Sequence, residues 1–311
     1  RMASAHGVPV IVVNGRLSDR SFRGYRRLGS ILRFMFARLA TVAAQTPAYA
    51  ERFVRLGTPA DRVHAVGSLK FDGARTDRHH PDTQALAAWA RITPEQVVLL
   101  AGSTQAPEEA LALEAFLELR DRYPQLRLVL VPRHPQRFEE VASLLDRSGV
   151  AWARRSRDPE GDRPVVLVDT MGELAAWWGT AQIAYVGGSM GAREGQNMIE
   201  PAGYGAAVSF GPRTRNFRDV VALLLEADAA RVVHGQRELT AFVEQCLADP
   251  SWRRALGSRA QQVVLAQQGA VERTVQLMEP FLNSVPRIRH RVDEADLSRD
   301  GGRRGKVCVK Q

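Results

Sequence analysis

Four short stretches of this 311-residue chain carry groups able to hold an anion or a nucleotide. Pro132-Arg133-His134-Pro135 offers a guanidinium, whose planar fork can pair with a phosphate through two hydrogen bonds. Asp169-Thr170-Met171-Gly172-Glu173 offers backbone groups around Met171 and Gly172 that can read a base edge or a phosphate. Gly187 to Pro201, reading GGSMGAREGQNMIEP, brings four glycines, then Asn197, then Glu200 one turn later. Asn197 can meet a phosphate at a helix start, and Glu200 can accept from ribose hydroxyls. Gly102-Ser103-Thr104 is the fourth stretch. A strand that empties into a glycine-rich loop and a helix presents backbone N–H groups to phosphate, so Gly187–Pro201 is expected to cradle one.

Each residue also has a plainer reading. Glu200 can be a first-turn carboxylate answering the helix dipole. His134 can be a satisfied structural histidine. Thr170 and Glu173 fit a capping box. Placement favours a site, because every stretch follows directly on an apolar run. Ligands of open α/β sheets lie beyond the carboxyl ends of the strands. No P-loop with Lys-Ser/Thr and no complete G-x-G-x-x-G is present, so ATPase and dehydrogenase readings lack their signatures.

The elements that must position these residues alternate along the chain. Val8–Val13 reads as a buried parallel strand, Arg16–Arg27 as a basic loop. Leu28, Ile31, Leu32, Met35, Leu39 and Val42 fall at helical spacing and predict one apolar helix face. Ala43–Thr46 predicts a short strand ending at a helix start, with Thr46 as N-cap, Pro47 at N1 and Gly57 as the terminating glycine. Val63–Val66 is another short strand, and Thr76–Pro81 a polar linker in which His79 and His80 are expected to be solvent-exposed. Strands at Val97–Ala101, Arg127–Val131, Val165–Val168, Ile183–Val186 and Ala206–Phe210 then alternate with helices, with an edge strand at Val232-Val233. This repetition predicts an α/β fold with a doubly wound parallel sheet. A helical pattern from Trp252 to Leu282 breaks near Gly269, and Ser284 onward has little apolar content and is expected to be disordered.

The totals bound the function. The length suits two domains. Two cysteines, Cys246 and Cys308, exclude a disulfide framework and suggest a reducing compartment; no Cys/His spacing resembles a zinc site. Neither a cofactor nor a metal is expected. No apolar run is long enough to span a bilayer. Arg1-Met2-Ala3-Ser4 is followed by no signal-peptide core and reads as a chain starting in mid-helix, which predicts a truncation. The net charge of +9 is concentrated in Arg16–Arg38 and in the segment from Ser284, which argues against a general nucleic-acid-binding face. Arg16, Arg20, Arg23, Arg26 and Arg27 can contact anionic lipid or substrate phosphates, or be solvated.

The same stretches carry a family resemblance. VPVIVVNGRLSDRS (Val8–Ser21), AQTPAYAERFVRLG (Ala44–Gly57), GSLKFD (Gly67–Asp72), LVLVPRHPQRF (Leu128–Phe138), VDTMGELA (Val168–Ala175), YVGGS (Tyr185–Ser189), NMIEPAGYG (Asn197–Gly205) and GPRTRNF (Gly211–Phe217) occur in order. Together they resemble the bacterial 3-deoxy-D-manno-octulosonic acid (Kdo) transferases specific for lipid A precursor. The resemblance implies two Rossmann-like domains of GT-B type, the N-terminal one incomplete here. The implied boundaries are 1–78 for the remainder of the acceptor-side domain, 79–266 for the CMP-sugar-binding domain, 267–283 for a C-terminal helix and 284–311 for a basic tail. It implies inverting transfer of Kdo from the CMP-sugar donor CMP-Kdo to lipid IV-A in lipopolysaccharide core synthesis. This would take place at the cytoplasmic face of the inner membrane, without nucleic acid. By matching motifs, CMP would be held by Pro132, Arg133, Met171, Gly172, Glu173, Asn197, Met198, Ile199 and Glu200. Arg16, Arg20, Arg23, Arg26 and Arg27 would face the acceptor or membrane.

The chain departs from the family pattern in three ways. The family's anchor helix and its general-base glutamate are expected upstream of Arg1, so no catalytic residue is assigned within this chain. The resulting expectation is CMP binding with impaired Kdo transfer. Glu194-Gly195-Gln196-Asn197 stands where the family has Gly-Gly-His-Asn, and Ser103-Thr104-Gln105 where it has Ser-Thr-His. Each change removes a group that titrates near neutral pH. The competing readings are a related two-domain glycosyltransferase using another nucleotide sugar and a non-enzymatic basic membrane-surface module.

Overall fold

The computed structural model describes His6 and residues 8–282; the start of the chain and the tail from Ser284 expected to be disordered lie outside the described residues. Two parallel sheets organise the fold. The first has the order β1-β2-β3, from β1 (Val10–Gly15), β2 (Leu39–Ala44) and β3 (Val63–Ala65). Helices α1 (Asp19–Arg27) and α2 (Gly29–Phe36) connect β1 to β2, and α3 (Pro47–Arg55) connects β2 to β3. As the Thr-Pro start predicts, Thr46 caps α3 with Pro47 in its first turn.

Helix α4 (Pro81–Trp89) leads into the second sheet. Its seven strands are β4 (Val97–Thr104), β5 (Leu126–Pro132), β6 (Trp152–Arg154), β7 (Val165–Leu167), β8 (Ile183–Val186), β9 (Ala207–Phe210) and β10 (Ala230–Val232). They run in the order β10-β9-β8-β4-β5-β7-β6. Between them lie α5 (Glu108–Leu119), α6 (Phe138–Ser148), α7 (Leu174–Trp177), α8 (Ile199–Gly203) and α9 (Arg218–Glu226). After β10 follow α10 (Gln236–Ala248), α11 (Pro250–Gln267) and α12 (Ala270–Leu282). Both faces of this sheet are covered. Along β4, Val98 and Leu100 enter one apolar cluster with Trp177 and Trp178, while Val97, Leu99 and Ala101 enter the other with Phe116 and Leu128. Two-sided burial is why these strands read as continuous apolar runs. Strands β5 and β8 flank β4, so the chain winds outward in both directions from it and its strand-end loops part there, which is where such sheets bind ligands.

Three expectations for the first domain are corrected. The Val8–Val13 run supplies the parallel strand β1 but is not buried, since Val8, Val10 and Val13 are exposed. Arg16–Arg27 is not a loop: Ser18 caps α1 through the Ser21 N–H, Asp19 lies in its first turn, and Arg is a good helix former. The helical spacing from Leu28 to Val42 does not describe one helix. It ends at Phe36, and Leu39 and Val42 belong to β2, where Val42 pairs with both β1 and β3. The α2 side chains Ile31, Phe34 and Met35 are exposed instead of packing on the sheet.

The joint between the domains is tied on both sides. In the 76–81 linker, the Arg78 guanidinium donates to the carbonyls of Tyr204, Gly179 and Ala181 at 2.9, 2.8 and 2.7 Å. His79 is exposed as expected, but His80 is half-buried and its ring accepts from the Asp82 N–H at the start of α4. Asp72 accepts from the backbone N–H groups of Gly269, Ala270 and Val271, capping α12 from the other domain. Arg273 on α12 donates to the Val66 carbonyl at 2.9 Å, bringing the C-terminal helix back onto the first sheet. Asp72→Ala is expected to cost about 1–2 kcal/mol, as loss of a helix cap does. The measurements are urea unfolding and faster amide exchange across 270–282; unchanged exchange there would refute the capping role.

Candidate functional site

A cavity of about 440 Å³ opens beyond the carboxyl ends of the central strands of the large sheet. Its lining includes Ser103 from the end of β4, Pro132 and Arg133 from β5, Met171 and Gly172 after β7, and Gln196, Asn197 and Glu200 after β8. Trp178 and Phe217 add aromatic surface. Six of the nine residues singled out for CMP are therefore brought together: Pro132, Arg133, Met171, Gly172, Asn197 and Glu200. Met171 is 66% exposed, an apolar side chain standing at the mouth instead of in the core.

The other three point elsewhere. Met198 and Ile199 are buried in the core, and the Ile199 N–H is taken by the Asn197 side chain at 3.1 Å. Glu173 is turned away by Arg155, which donates to its two carboxylate oxygens at 3.1 and 3.0 Å, and by the Thr170 hydroxyl. Burial opposes ionisation of Glu173, but these hydrogen bonds outweigh it and hold its carboxyl below the ordinary value.

Arg133 and Glu200 set the polarity of the cavity. Arg133 is exposed and, among the described residues, has no carboxylate partner. Glu200 accepts from the Asn197 amide at 3.0 Å. Burial raises the Glu200 carboxyl above its ordinary value, and the Asn197 hydrogen bond and the attraction of Arg133 offset part of that. The cavity thus carries an unpaired cation on one wall and a desolvated acceptor on another. That arrangement can take a phosphate at the first and hydroxyl groups at the second.

The start of the glycine-rich stretch does something different from what its sequence predicts. The N–H groups of Gly188, Ser189 and Met190 are turned onto the carboxylate of Glu108 and are not offered to the cavity. A side chain of the same protein has taken the place foreseen for a phosphate. Only the later part of the stretch, Gln196 to Glu200, reaches the cavity.

Cavity residues that the sequence did not single out include Trp178 and Phe217, whereas Ser103 belongs to the fourth stretch. Phe217 follows β9 of the large sheet, the signal that marked the other loops, while Ser103 stands within the last residues of β4. Ser103 stands at a register irregularity between β4 and β5 with φ +55°, a conformation that a side chain rarely adopts, and so turns its backbone at the cavity edge. Phe217 also lies beneath the Lys70 ammonium, which is 5.3 Å from the ring centre and comes from the first domain.

A second, larger groove of about 990 Å³ runs between the domains beside this cavity. Arg16, Arg20, Arg23 and Arg52 line one side, and Arg215 and Arg218 the other. Arg16 bridges the two through Asp219 at 3.0 Å. Arg26 and Arg27 are exposed in the last turn of α1 and do not line this groove. Among the described residues there is no cluster of three or more metal-ligating side chains, and no helix is long and apolar enough to cross a membrane.

Residues 1–73 match the family described as 3-Deoxy-D-manno-octulosonic-acid transferase (kdotransferase). The chain is 38% identical to the 3-deoxy-D-manno-octulosonic acid transferase of Bordetella pertussis over 288 residues, covering 90% of this chain and 65% of that protein. It is 32% identical to the enzyme of the same name from Haemophilus influenzae over 279 residues, covering 88% and 65%. The chain thus spans just under two thirds of the length of these curated relatives. Among solved structures, the C-terminal CMP-Kdo binding domain of WaaA from Acinetobacter baumannii aligns with a TM-score of 0.54 at 30% identity, over 58% of this chain and 95% of that one. The S. aureus MnaA-UDP co-structure aligns with a TM-score of 0.52 at 16% identity over 91% and 72%, which shows a common fold.

Proposed function

This chain belongs to the 3-deoxy-D-manno-octulosonic acid transferase family, and on that premise we propose that it transfers Kdo from CMP-Kdo to the lipid A precursor lipid IV-A in lipopolysaccharide core biosynthesis, with CMP held in the strand-end cavity. The observation that carries this reading is the convergence of Arg133, Asn197 and Glu200 with the Met171-Gly172 backbone in one cavity. That cavity is built within residues 79–266, the part of the chain proposed as the CMP-sugar-binding domain.

In such a transfer the acceptor hydroxyl oxygen attacks the anomeric carbon of Kdo. The bond from that carbon to the CMP phosphate oxygen breaks, and its electron pair leaves with CMP. Charge therefore grows on the phosphate in the transition state, where Arg133 would stabilise it. Glu200 would accept from the ribose, and Met171 and Gly172 would border the base. The acceptor proton needs a general base. We assign that base to none of the cavity's residues.

The groove lined by Arg20, Arg23, Arg52, Arg215 and Arg218 is proposed to receive the acceptor's phosphates, with Arg26 and Arg27 on the side facing the inner-membrane surface. Asn216 lies in this groove and its neighbour Phe217 in the donor cavity, so the two sites adjoin. Titration calorimetry with CMP, UDP, GDP and ADP tests the donor half. CMP is expected to bind in preference to the others; clear UDP binding with no CMP signal would overturn the assignment.

A further inference from the structure

Behind the cavity wall lies a carboxylate cut off from solvent. Glu108, the first residue of α5, is 1% exposed. Its Oε1 accepts from the N–H groups of Ser189 and Met190, each at 2.9 Å, and from the Tyr185 hydroxyl at 3.0 Å. Its Oε2 accepts from the N–H of Gly188 at 2.7 Å and of Gln105 at 2.9 Å. The Gln105 contact alone would be an ordinary helix-start cap. The Tyr185 hydroxyl comes from β8, and the other N–H groups from the loop after it, about 80 residues further along the chain. Consecutive N–H groups converging on one acceptor form the kind of backbone concavity that binds anions, and here an internal side chain fills it. The fit depends on glycine: a Cβ on Gly187 would stand 2.8 Å from Glu108 Oε2 and 2.6 Å from the Thr104 Cα.

The loop held in this way goes on to hold the cavity wall. The Gly188 carbonyl accepts from the Gly195 N–H at 2.8 Å, next to Gln196 and Asn197. The Ser189 hydroxyl accepts from the Gly211 N–H at 2.7 Å, and the Ser189 carbonyl from the Arg213 N–H at 2.9 Å, on the segment leading to Phe217. Gln196, Asn197 and Phe217 all line the cavity, whereas Glu108 does not.

We infer that Glu108 is a positioning residue for nucleotide binding, a built-in anion that sets the Gly187–Met190 loop and through it the Gly195–Asn197 and Gly211–Phe217 walls. The link to a nucleotide rests on the CMP reading above; the link to the loop does not. Glu108→Gln keeps the shape but turns an NH₂ group against N–H donors. Glu108→Ala vacates the concavity, leaving room for formate.

Amide exchange across 187–197 is expected to quicken about tenfold or more in both variants, and CMP affinity to fall roughly tenfold, the loss of about one hydrogen bond's worth of order in the wall. Formate is expected to restore both properties in Glu108→Ala and to leave the wild type unchanged, a response that a simple packing role would not give. Wild-type exchange in Glu108→Gln, or a loosened loop with unaltered CMP affinity, overturns the inference. If the wild type binds no CMP while formate still restores the loop, the donor assignment falls and the loop-setting role stands.

Discussion

Replacing Arg133 by alanine is expected to weaken CMP binding by roughly 10- to 100-fold and to leave the unfolding transition where it is. A hydrogen bond to a charged group contributes about 1.5–3 kcal/mol, and each factor of ten in affinity is about 1.4 kcal/mol. Arg133 is exposed and has no carboxylate partner among the described residues, so its removal strands no buried charge and the stability change should stay within about 0.5 kcal/mol. Arg133→Lys keeps the charge but not the planar fork, so it should recover only part of the affinity. Calorimetry on the three proteins decides this. Equal CMP affinity for wild type and Arg133→Ala would remove the phosphate from this wall of the cavity.

The largest stability effect is expected at Arg154, away from the cavity. Its guanidinium donates to Asp169 and, through two nitrogens, to Glu139 at 3.1 and 2.6 Å. Asp169 is almost completely buried, its side chain 3% exposed. Arg154→Met should cost about 3 kcal/mol, the low end for breaking a buried pair, because Ser156 still donates to Asp169 from its N–H at 2.9 Å and its hydroxyl at 2.6 Å. Adding Asp169→Asn should return part of that loss by removing the stranded charge.

The pH dependence follows from the direction of the Asp169 shift. Burial opposes its ionisation, but the hydrogen bonds from Ser156 and Arg154 prevail and hold its carboxyl below the ordinary value. Its contribution is therefore present above the ordinary aspartate range and is lost as pH falls through the depressed folded value. Acid should erode wild-type stability in that window more than it erodes Arg154→Met. Urea unfolding across that range measures the difference; parallel curves would show that the pair contributes nothing.

The large sheet was legible in the sequence because its central strands are buried on both faces and leave uninterrupted apolar runs. Strand β6 was not, because three residues ending in Arg154 at a sheet edge have no such pattern. That omission bears on the site. Arg155, just past β6, decides that Glu173 faces away from the cavity, and the sequence around Glu173 and Glu200 holds nothing that separates the two carboxylates. The first domain was harder to read for a different reason. Helix α1 buries only Phe22, so it has no apolar stripe to find. Leu39 and Val42 continue a helical spacing by coincidence, and pairing with both neighbouring strands overrides it. The strand-end rule pointed to the loops that meet at the cavity. It could not reveal that Glu108 occupies the first of the glycine-loop amides, since that contact depends on two distant segments meeting in three dimensions.

The strand-end cavity is proposed to hold CMP. The most direct measurement is the crystal structure of the chain with CMP. It should show the phosphate within hydrogen-bond distance of Arg133, the ribose hydroxyls at Glu200 and the base beside Met171 and Gly172. CMP bound in the groove among Arg20, Arg23 and Arg215, with the strand-end cavity free of nucleotide, would overturn the assignment of CMP to that cavity.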